Sequence, residues 1–220
     1  ECGDGTREPI WGPDAMNLSF LRRNPDDPAS NHSGDCTATD AATTRSWEQV
    51  IAGCRAGDRV SQRKLYEMCS ERVYRLMVRI VGAQDAADVT QQVFLHVFKK
   101  IDRFEGHSRF ETWLYRLATN EAYQYLRKER RWKHEPLGHE PRDGRLAVED
   151  VDQRKELLEE ALKRVDPELR TIFLLREVEE LSYHEIAKVL DISEGTVASR
   201  LNRARRALRS VLSDLGWEDG

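Results

Sequence analysis

Apolar positions along this chain follow two regimes. Through residues 1–45 they are scattered with neither helical nor alternating period, apart from a short cluster from Met16 to Leu21. That stretch also holds four of the seven prolines, eight acids and only four bases. A segment of this kind buries too little surface to offset the entropy of ordering it, so residues 1–45 are expected to be a disordered extension. From Ser46 onward the apolar positions recur every three or four residues, the spacing that gathers side chains on one face of an α-helix. Trp47, Val50, Ile51 and Cys54 begin the pattern, and Gly57-Asp58 breaks and recaps it. Leu65, Met68, Cys69, Val73, Leu76, Met77 and Ile80 carry it through a second helix that Gly82 closes.

A third helix is expected from Asp85 to about Lys100, with Val89, Val93 and Val97 as its core stripe. A fourth starts at Ser108, where Ser108 and Glu111 have the spacing of a capping box. Phe110, Trp113, Leu114, Leu117, Ala118 and Tyr125 line its buried face. Trp132 to Asp152 then loses the pattern, with Pro136, Gly138, Pro141 and Gly144 among mostly charged residues. It reads as a flexible linker. Helices resume from Arg154 to Val165, and from Glu168 to Glu177 behind an Asp166-Pro167 start signal. No run of β-branched residues alternates with polar ones, so no strand is expected. The fold class is therefore all-α: a helical unit at 46–131 and a second at 153–220, joined by a linker at 132–152.

The second unit carries the more specific pattern. Ser182 and Glu185 form another capping-box pair ahead of Ile186, Ala187, Val189 and Leu190. Asp191-Ile192-Ser193 follows, then a helix from Glu194 to about Leu212. Two helices across so short a turn, with a small Ala187 in the first and Ile192 in the turn, match a helix-turn-helix. On the last helix Val197, Leu201, Ala204 and Leu208 share one face. Ser199, Asn202, Arg203 and Arg206 point the other way, with Thr196 and Arg200 on a flank. Residues 195–210 hold five arginines (200, 203, 205, 206 and 209) and no acid. A solvated helix face ordinarily mixes signs. Arginines alone on the second helix of such a motif suit phosphates and guanine edges, because the guanidinium fork fits both.

Composition qualifies this in one respect. The 220 residues include 35 Lys+Arg and 39 Asp+Glu, a formal charge of −4. Residues 1–45 account for that excess, leaving 31 bases and 31 acids in the remainder. Within that neutral body the signs separate, with 14 acids and 7 bases in 147–194 ahead of the arginine helix. Local field governs nucleic-acid contact, so an acidic total does not exclude it. No run approaches the roughly 20 apolar residues of a membrane-spanning helix. The start lacks a basic segment followed by an apolar block, so a secretory leader is not expected. Cys2, Cys36, Cys54 and Cys69 form no C-x-x-C pair. Neither a disulfide framework nor a zinc site is expected, and reduced thiols fit a cytoplasmic protein. The His134/His139 pair reads as solvated. Phosphate-loop, nucleophile-elbow and metal-ligand spacings are missing, so neither catalysis nor a cofactor is expected.

Three blocks in order resemble one family. Residues 169–177, 181–187 and 195–205 resemble region 4 of extracytoplasmic-function (ECF) sigma factors, members of the sigma-70 family of RNA polymerase sigma factors. Asp85-Ala86-Ala87-Asp88-Val89-Thr90-Gln91-Gln92-Val93-Phe94 resembles their region 2.2. Residues 110–122 with Tyr125-Leu126-Arg127 resemble regions 2.3 and 2.4. The likeness covers about residues 47–212, and some positions depart from it: Ala87 and Gln92 stand where acids are common, Gln124 where Asp is, and Ala198 where many members have Lys.

The resemblance implies a dissociable subunit of bacterial RNA polymerase with no chemistry of its own. Its implied partners are the core enzyme (clamp and flap), promoter DNA and an anti-sigma factor. It implies that Asp88, Gln91 and Gln92 meet the clamp, on a face that also carries Asp85 and Leu95. The loop around His107 and Ser108 corresponds to one that captures a flipped minus-ten base. Asn120 and Arg127 match a DNA-facing pattern, beside the basic end at Arg130 and Arg131. Aromatics near those cations (Trp113, Tyr115, Tyr123, Tyr125) have the chemistry to stack single-stranded bases, although a core position suits Trp113 better. Thr196, Ser199, Arg200, Arg203 and Arg206 are the candidate readers of the minus-thirty-five element. Two other readings stay open from the sequence: a helix-turn-helix regulator that does not deliver polymerase, and an enzyme.

Overall fold

The computed structural model describes the backbone of residues 39–132 and 151–217 and the side chains of 47–131 and 156–217. Among these residues there are eight α-helices and no strand, so the all-α expectation holds. They are α1 (Thr39–Arg55), α2 (Arg59–Val81), α3 (Ala86–Lys100), α4 (Phe110–Trp132), α5 (Val151–Arg164), α6 (Pro167–Glu177), α7 (Tyr183–Leu190) and α8 (Glu194–Asp214). Helix α1 begins at Thr39, inside the stretch expected to be disordered; the Met16–Leu21 cluster and the His134/His139 pair lie outside the described residues.

Helices α1 and α2 form a tight hairpin because two glycines permit it. Gly57 turns the chain at φ +76°, and a Cβ on Gly53 would lie 2.0 Å from the Ser61 hydroxyl. A side chain at 53 would therefore push the helices apart. Asp58 caps α2, its carboxylate accepting from the Val60 and Ser61 amides at 3.2 and 2.9 Å and from the Ser61 hydroxyl at 2.6 Å. The Ser61 hydroxyl and then the two amides hold the Asp58 pKa below its ordinary 3.8. A lowered carboxylate pKa stabilises the fold above the unfolded value, and the contribution is lost as pH falls through the folded one. The stability gap between the wild type and Asp58→Ala should thus stay constant above about pH 5 and close in strong acid. Urea melts across that range measure it.

In the first unit Val50, Leu65, Val73, Leu76, Val93, Val97, Phe110, Leu114 and Ala118 are buried together. Arg55 closes its lower end by donating to the Ile101 carbonyl at 3.5 Å and to that of Phe104. Two expectations from spacing fail here. Met68 is 41% exposed, because α2 turns that edge toward solvent. The Ser108–Glu111 capping box does not form: α4 starts one residue later, with the Arg109 carbonyl accepting the first helical bond from Trp113 N–H at 3.3 Å. A cap at 108 would put Glu111 at the third helical position, and the observed start moves it to the second.

In the second unit both start signals are realised. Asp166 accepts from Glu168 N–H at 2.9 Å with Pro167 at the first helical position. Ser182 and Glu185 make the reciprocal capping box. Asp191 ends α7 in the left-handed region at φ 57°, where a short polar side chain is tolerated. That reversal sends the chain straight into α8, which Ser193 caps by accepting from Thr196 N–H at 3.2 Å. The buried residues of both units make one continuous cluster, because α4 packs against α7 and α2 against α5 and α6.

Candidate nucleic-acid and polymerase interface

Helix α8 is held by its apolar side. Val197, Leu201, Ala204, Leu208 and Leu212 are all buried, which orients the opposite side outward. Ser199, Arg203 and Arg206 are exposed there, while Thr196 is half-buried with its hydroxyl 2.8 Å from that of Ser193. The five arginines do not form one free face. Arg205 is 4% exposed and meets Glu177 of α6 at 2.6 Å. Arg200 reaches Glu168 at 3.3 Å, and Arg209 is half-buried. The expectation of an all-arginine outer face is therefore corrected to Arg203 and Arg206, flanked by Arg200. Arg205 fell on the core side because 205 directly follows Ala204 and lies an i+4 step from Leu201.

The second surface lies on α4 and the loop before it. Asn120, Arg127, Lys128, Arg130 and Arg131 are exposed along the distal half of α4. Arg127 donates back to the Tyr123 carbonyl at 3.2 Å, holding its head along the helix. His107 is exposed and pairs with Glu105 at 3.0 Å, next to a half-buried Ser108. The aromatics near those cations are largely used in packing, Trp113 as expected and the tyrosines in place of stacking bases. Tyr115 is 1% exposed and donates to Glu179, and burial followed by that acid pushes its pKa up. Trp113 packs at 5.6 Å from both Phe104 and Phe110. Tyr123 is half-buried and shares a hydrogen bond with Thr171. Burial, with a bond to Asp85, pushes the Tyr125 hydroxyl up to about 12.

The third surface is the outer face of α3. Val89, Val93 and Val97 are buried as expected, leaving Asp88, Gln91, Gln92 and Leu95 exposed together. Leu95 is 54% exposed, an apolar side chain set among polar ones in the manner of a protein-contact face. Asp85 sits at the start of α3, half-buried and held by Tyr125. His96 faces inward and meets Glu121 at 2.5 Å, tying α3 to α4.

The chemistry available is that of surfaces. The described residues contain no group of three or more candidate metal ligands. Cys54 and Cys69 are free and buried, and burial pushes the Cys69 thiol up to about 12. Cys2 and Cys36 lie outside the described residues. No described helix is long and apolar enough to cross a membrane. Reading the sequence alone missed Arg72, Arg170 and Glu179, which join the two units. One signal was present: Glu179 lies an i+4 step from Leu175, on the apolar stripe where an acid is out of place.

Residues 65–132 match the sigma-70 region 2 family, and residues 155–208 match sigma-70, region 4. The ECF RNA polymerase sigma-E factor of Haemophilus influenzae is 33% identical over 181 residues, covering 76% of this chain and 96% of that one. The ECF RNA polymerase sigma factor SigW of Bacillus subtilis is 32% identical, covering 75% of this chain and 96% of its own. Among solved structures, the sigma factor RpoE of Bartonella quintana, in complex with the anti-sigma factor NepR, superposes with a TM-score of 0.55. Its identity is 22%, and the match covers 69% of this chain and 96% of that one. That likeness is one of fold.

Proposed function

The chain belongs to the sigma-70 family as an ECF sigma factor, and from that premise we propose that it is the subunit that directs core RNA polymerase to a particular set of promoters. Region 4, at 153–220, would dock α8 in the major groove of the minus-thirty-five element. Arg203 and Arg206 would make the main contacts, with Thr196, Ser199 and Arg200 beside them. Region 2, at 46–131, would hold the melted minus-ten strand with His107, Ser108, Asn120, Arg127, Arg130 and Arg131. Asp85, Asp88, Gln91, Gln92 and Leu95 would meet the polymerase clamp. The observation that carries the reading is the division of α8, whose apolar side is buried while Ser199, Arg203 and Arg206 face outward.

The chain would work in the cytoplasm, where polymerase and DNA are, and would contribute no catalytic step of its own. A plain helix-turn-helix regulator does not account for the polar and apolar α3 face held apart from the DNA-facing groups. The association of RpoE with NepR supports an anti-sigma factor as a further partner here. Adding the purified protein to sigma-free RNA polymerase with genomic DNA, then mapping transcript 5′ ends, tests the reading. Start sites sharing two spaced upstream elements are expected; duplex binding without initiation would refute it. Leu95→Ala should weaken core binding by more than ~1 kcal/mol while changing stability by under ~0.5 kcal/mol. Fluorescence titration against core enzyme and a thermal melt read the two effects separately.

A further inference from the structure

The loop ahead of α4 reaches solvent while both of its ends are buried. Glu105, Gly106, His107 and Arg109 are exposed and Ser108 is half-buried, whereas Phe104 and Phe110 lie in the core. The two phenylalanine rings meet edge to face with centroids 5.4 Å apart, so they close the base of the loop. Trp113, one turn into α4, packs 5.6 Å from each of them. Along the loop His107 pairs with Glu105 at 3.0 Å, and Arg109 with Glu111 at 3.9 Å. No amide from Glu105 to Arg109 donates to a backbone carbonyl among the described residues. A segment with so few bonds of its own takes its shape from whatever holds its ends.

Both ends are held by the same helix. At the end of α1, Arg55 donates from Nε to the Ile101 carbonyl at 3.5 Å and from a terminal nitrogen to the Phe104 carbonyl. Those oxygens lie where α3 runs out through a single 3-10 turn (Ile101–Arg103), an end at which a cation is favoured. Earlier on α1, Trp47 stacks on the Phe110 ring at 5.1 Å with 30° between the planes. Trp47 and Arg55 are eight residues apart, about 12 Å of helix. One rigid rod therefore reaches the incoming stem of the loop through Arg55 and the outgoing stem through Trp47.

We propose that Trp47 and Arg55 are positioning residues for base recognition in the minus-ten element: α1 braces both stems of the 105–109 loop, so that His107 and Ser108 meet a base in one fixed pose. The inference rests on the proposed function and adds to it a helix that no sequence motif marked as part of the site. Reading a flipped base by hydrogen bonds to its edge demands placement to within about 0.5 Å. A fixed loop leaves its polar groups unpaired against the wrong base, and that penalty is what separates one base from another. A mobile loop readjusts to each base and loses the penalty. Neither Trp47 nor Arg55 needs to touch DNA for this; each acts through the stem it holds.

The test compares full-length wild type with Trp47→Leu, Trp47→Phe and Arg55→Met. Trp47→Leu removes the stacked ring but stays apolar, and Trp47→Phe keeps a ring. Arg55→Met removes the donors at an exposed position, so region 2 should still fold. Nitrogen relaxation measured by NMR reads the order of the Gly106 and His107 amides without polymerase. Holoenzymes built from each chain and sigma-free core are then titrated with forked DNA of a promoter found by transcript mapping. Its single-stranded minus-ten segment carries each of the four bases at each position in turn.

Order parameters should be about 0.85 in wild type and Trp47→Phe, and below ~0.6 in Trp47→Leu and Arg55→Met. Preference for the best base over the worst should be ~10-fold or more in wild type and under ~3-fold at one position in the same two variants. Affinity for core enzyme and for the upstream duplex should match wild type. A loop already mobile in wild type, or unmoved by both substitutions, would overturn the brace. Looser loops with base preference intact would overturn its part in recognition, as would an equal loss at every position, the mark of a merely structural role. Should Trp47→Leu fail to fold, Arg55→Met decides between these outcomes alone. If loop order responds but wild-type holoenzyme opens no promoter, the sigma reading fails and base recognition falls with it.

Discussion

Arg205→Ala should lower the unfolding free energy by about 3–5 kcal/mol, the largest stability effect expected of any arginine in α8. Arg205 is 4% exposed and its partner Glu177 sits 2.6 Å away with a side chain 11% exposed. Truncating the guanidinium leaves a carboxylate in a site with little water, and the stem that spanned the α6–α8 contact is lost as well. Replacing both partners by apolar residues of similar volume, Arg205→Met with Glu177→Leu, should recover most of that loss, because neither charge is then stranded. Urea denaturation of the wild type and the two variants measures this. Equal losses in the single and double variants would mean that packing alone explains Arg205. Loss of DNA binding by Arg205→Ala would follow from unfolding of region 4 and so carry no information about base contacts.

Arg203→Ala with Arg206→Ala should behave in the opposite way. Both side chains are exposed on the outward side of α8, so stability should change by under ~0.5 kcal/mol per site. Binding to the upstream promoter element should weaken by roughly 30-fold or more, from two contacts each worth at least ~1 kcal/mol. Core-enzyme association should be unaffected. Titrating holoenzyme against labelled upstream duplex at several salt concentrations separates the contributions. A side chain that only neutralises phosphate lowers the salt slope by about one unit without changing sequence preference, whereas one that reads a base relaxes preference at that position. Loss of core association in the double variant would show that this face of α8 meets polymerase rather than DNA.

The contrast between Arg205 and Arg203 marks how far sequence reading reaches. Helical period placed Val197, Leu201, Ala204 and Leu208 on the buried side, because burying an apolar stripe dominates the packing of a short amphipathic helix. The same period puts Arg205 at the edge of that stripe but does not say whether a charged side chain there ends up buried or exposed. Arg205 went inward because Glu177 of another helix was waiting for it; Arg200 turned to Glu168 for the same reason. Likewise Ser182 formed its capping box while Ser108 did not, although both have the required spacing. At 108 the start of α4 is set by Phe110, which lies 5.1 Å from the Trp47 ring and 5.4 Å from that of Phe104. Tertiary contacts shifted the helix start by one residue and left the local signal unused.

The amino-acid order alone was enough for the all-α class, the division of α3 and α8 into buried and outward faces, and the family. These rest on local periodicity and on motifs read in sequence. Tertiary structure decided which arginines are free, which aromatics are occupied in the core, and how the two units meet. Arg72, Tyr115, Arg170 and Glu179 come together from positions far apart in the chain. No local pattern encodes such a meeting, because the energy of a buried charge depends on the partner that three-dimensional packing brings to it.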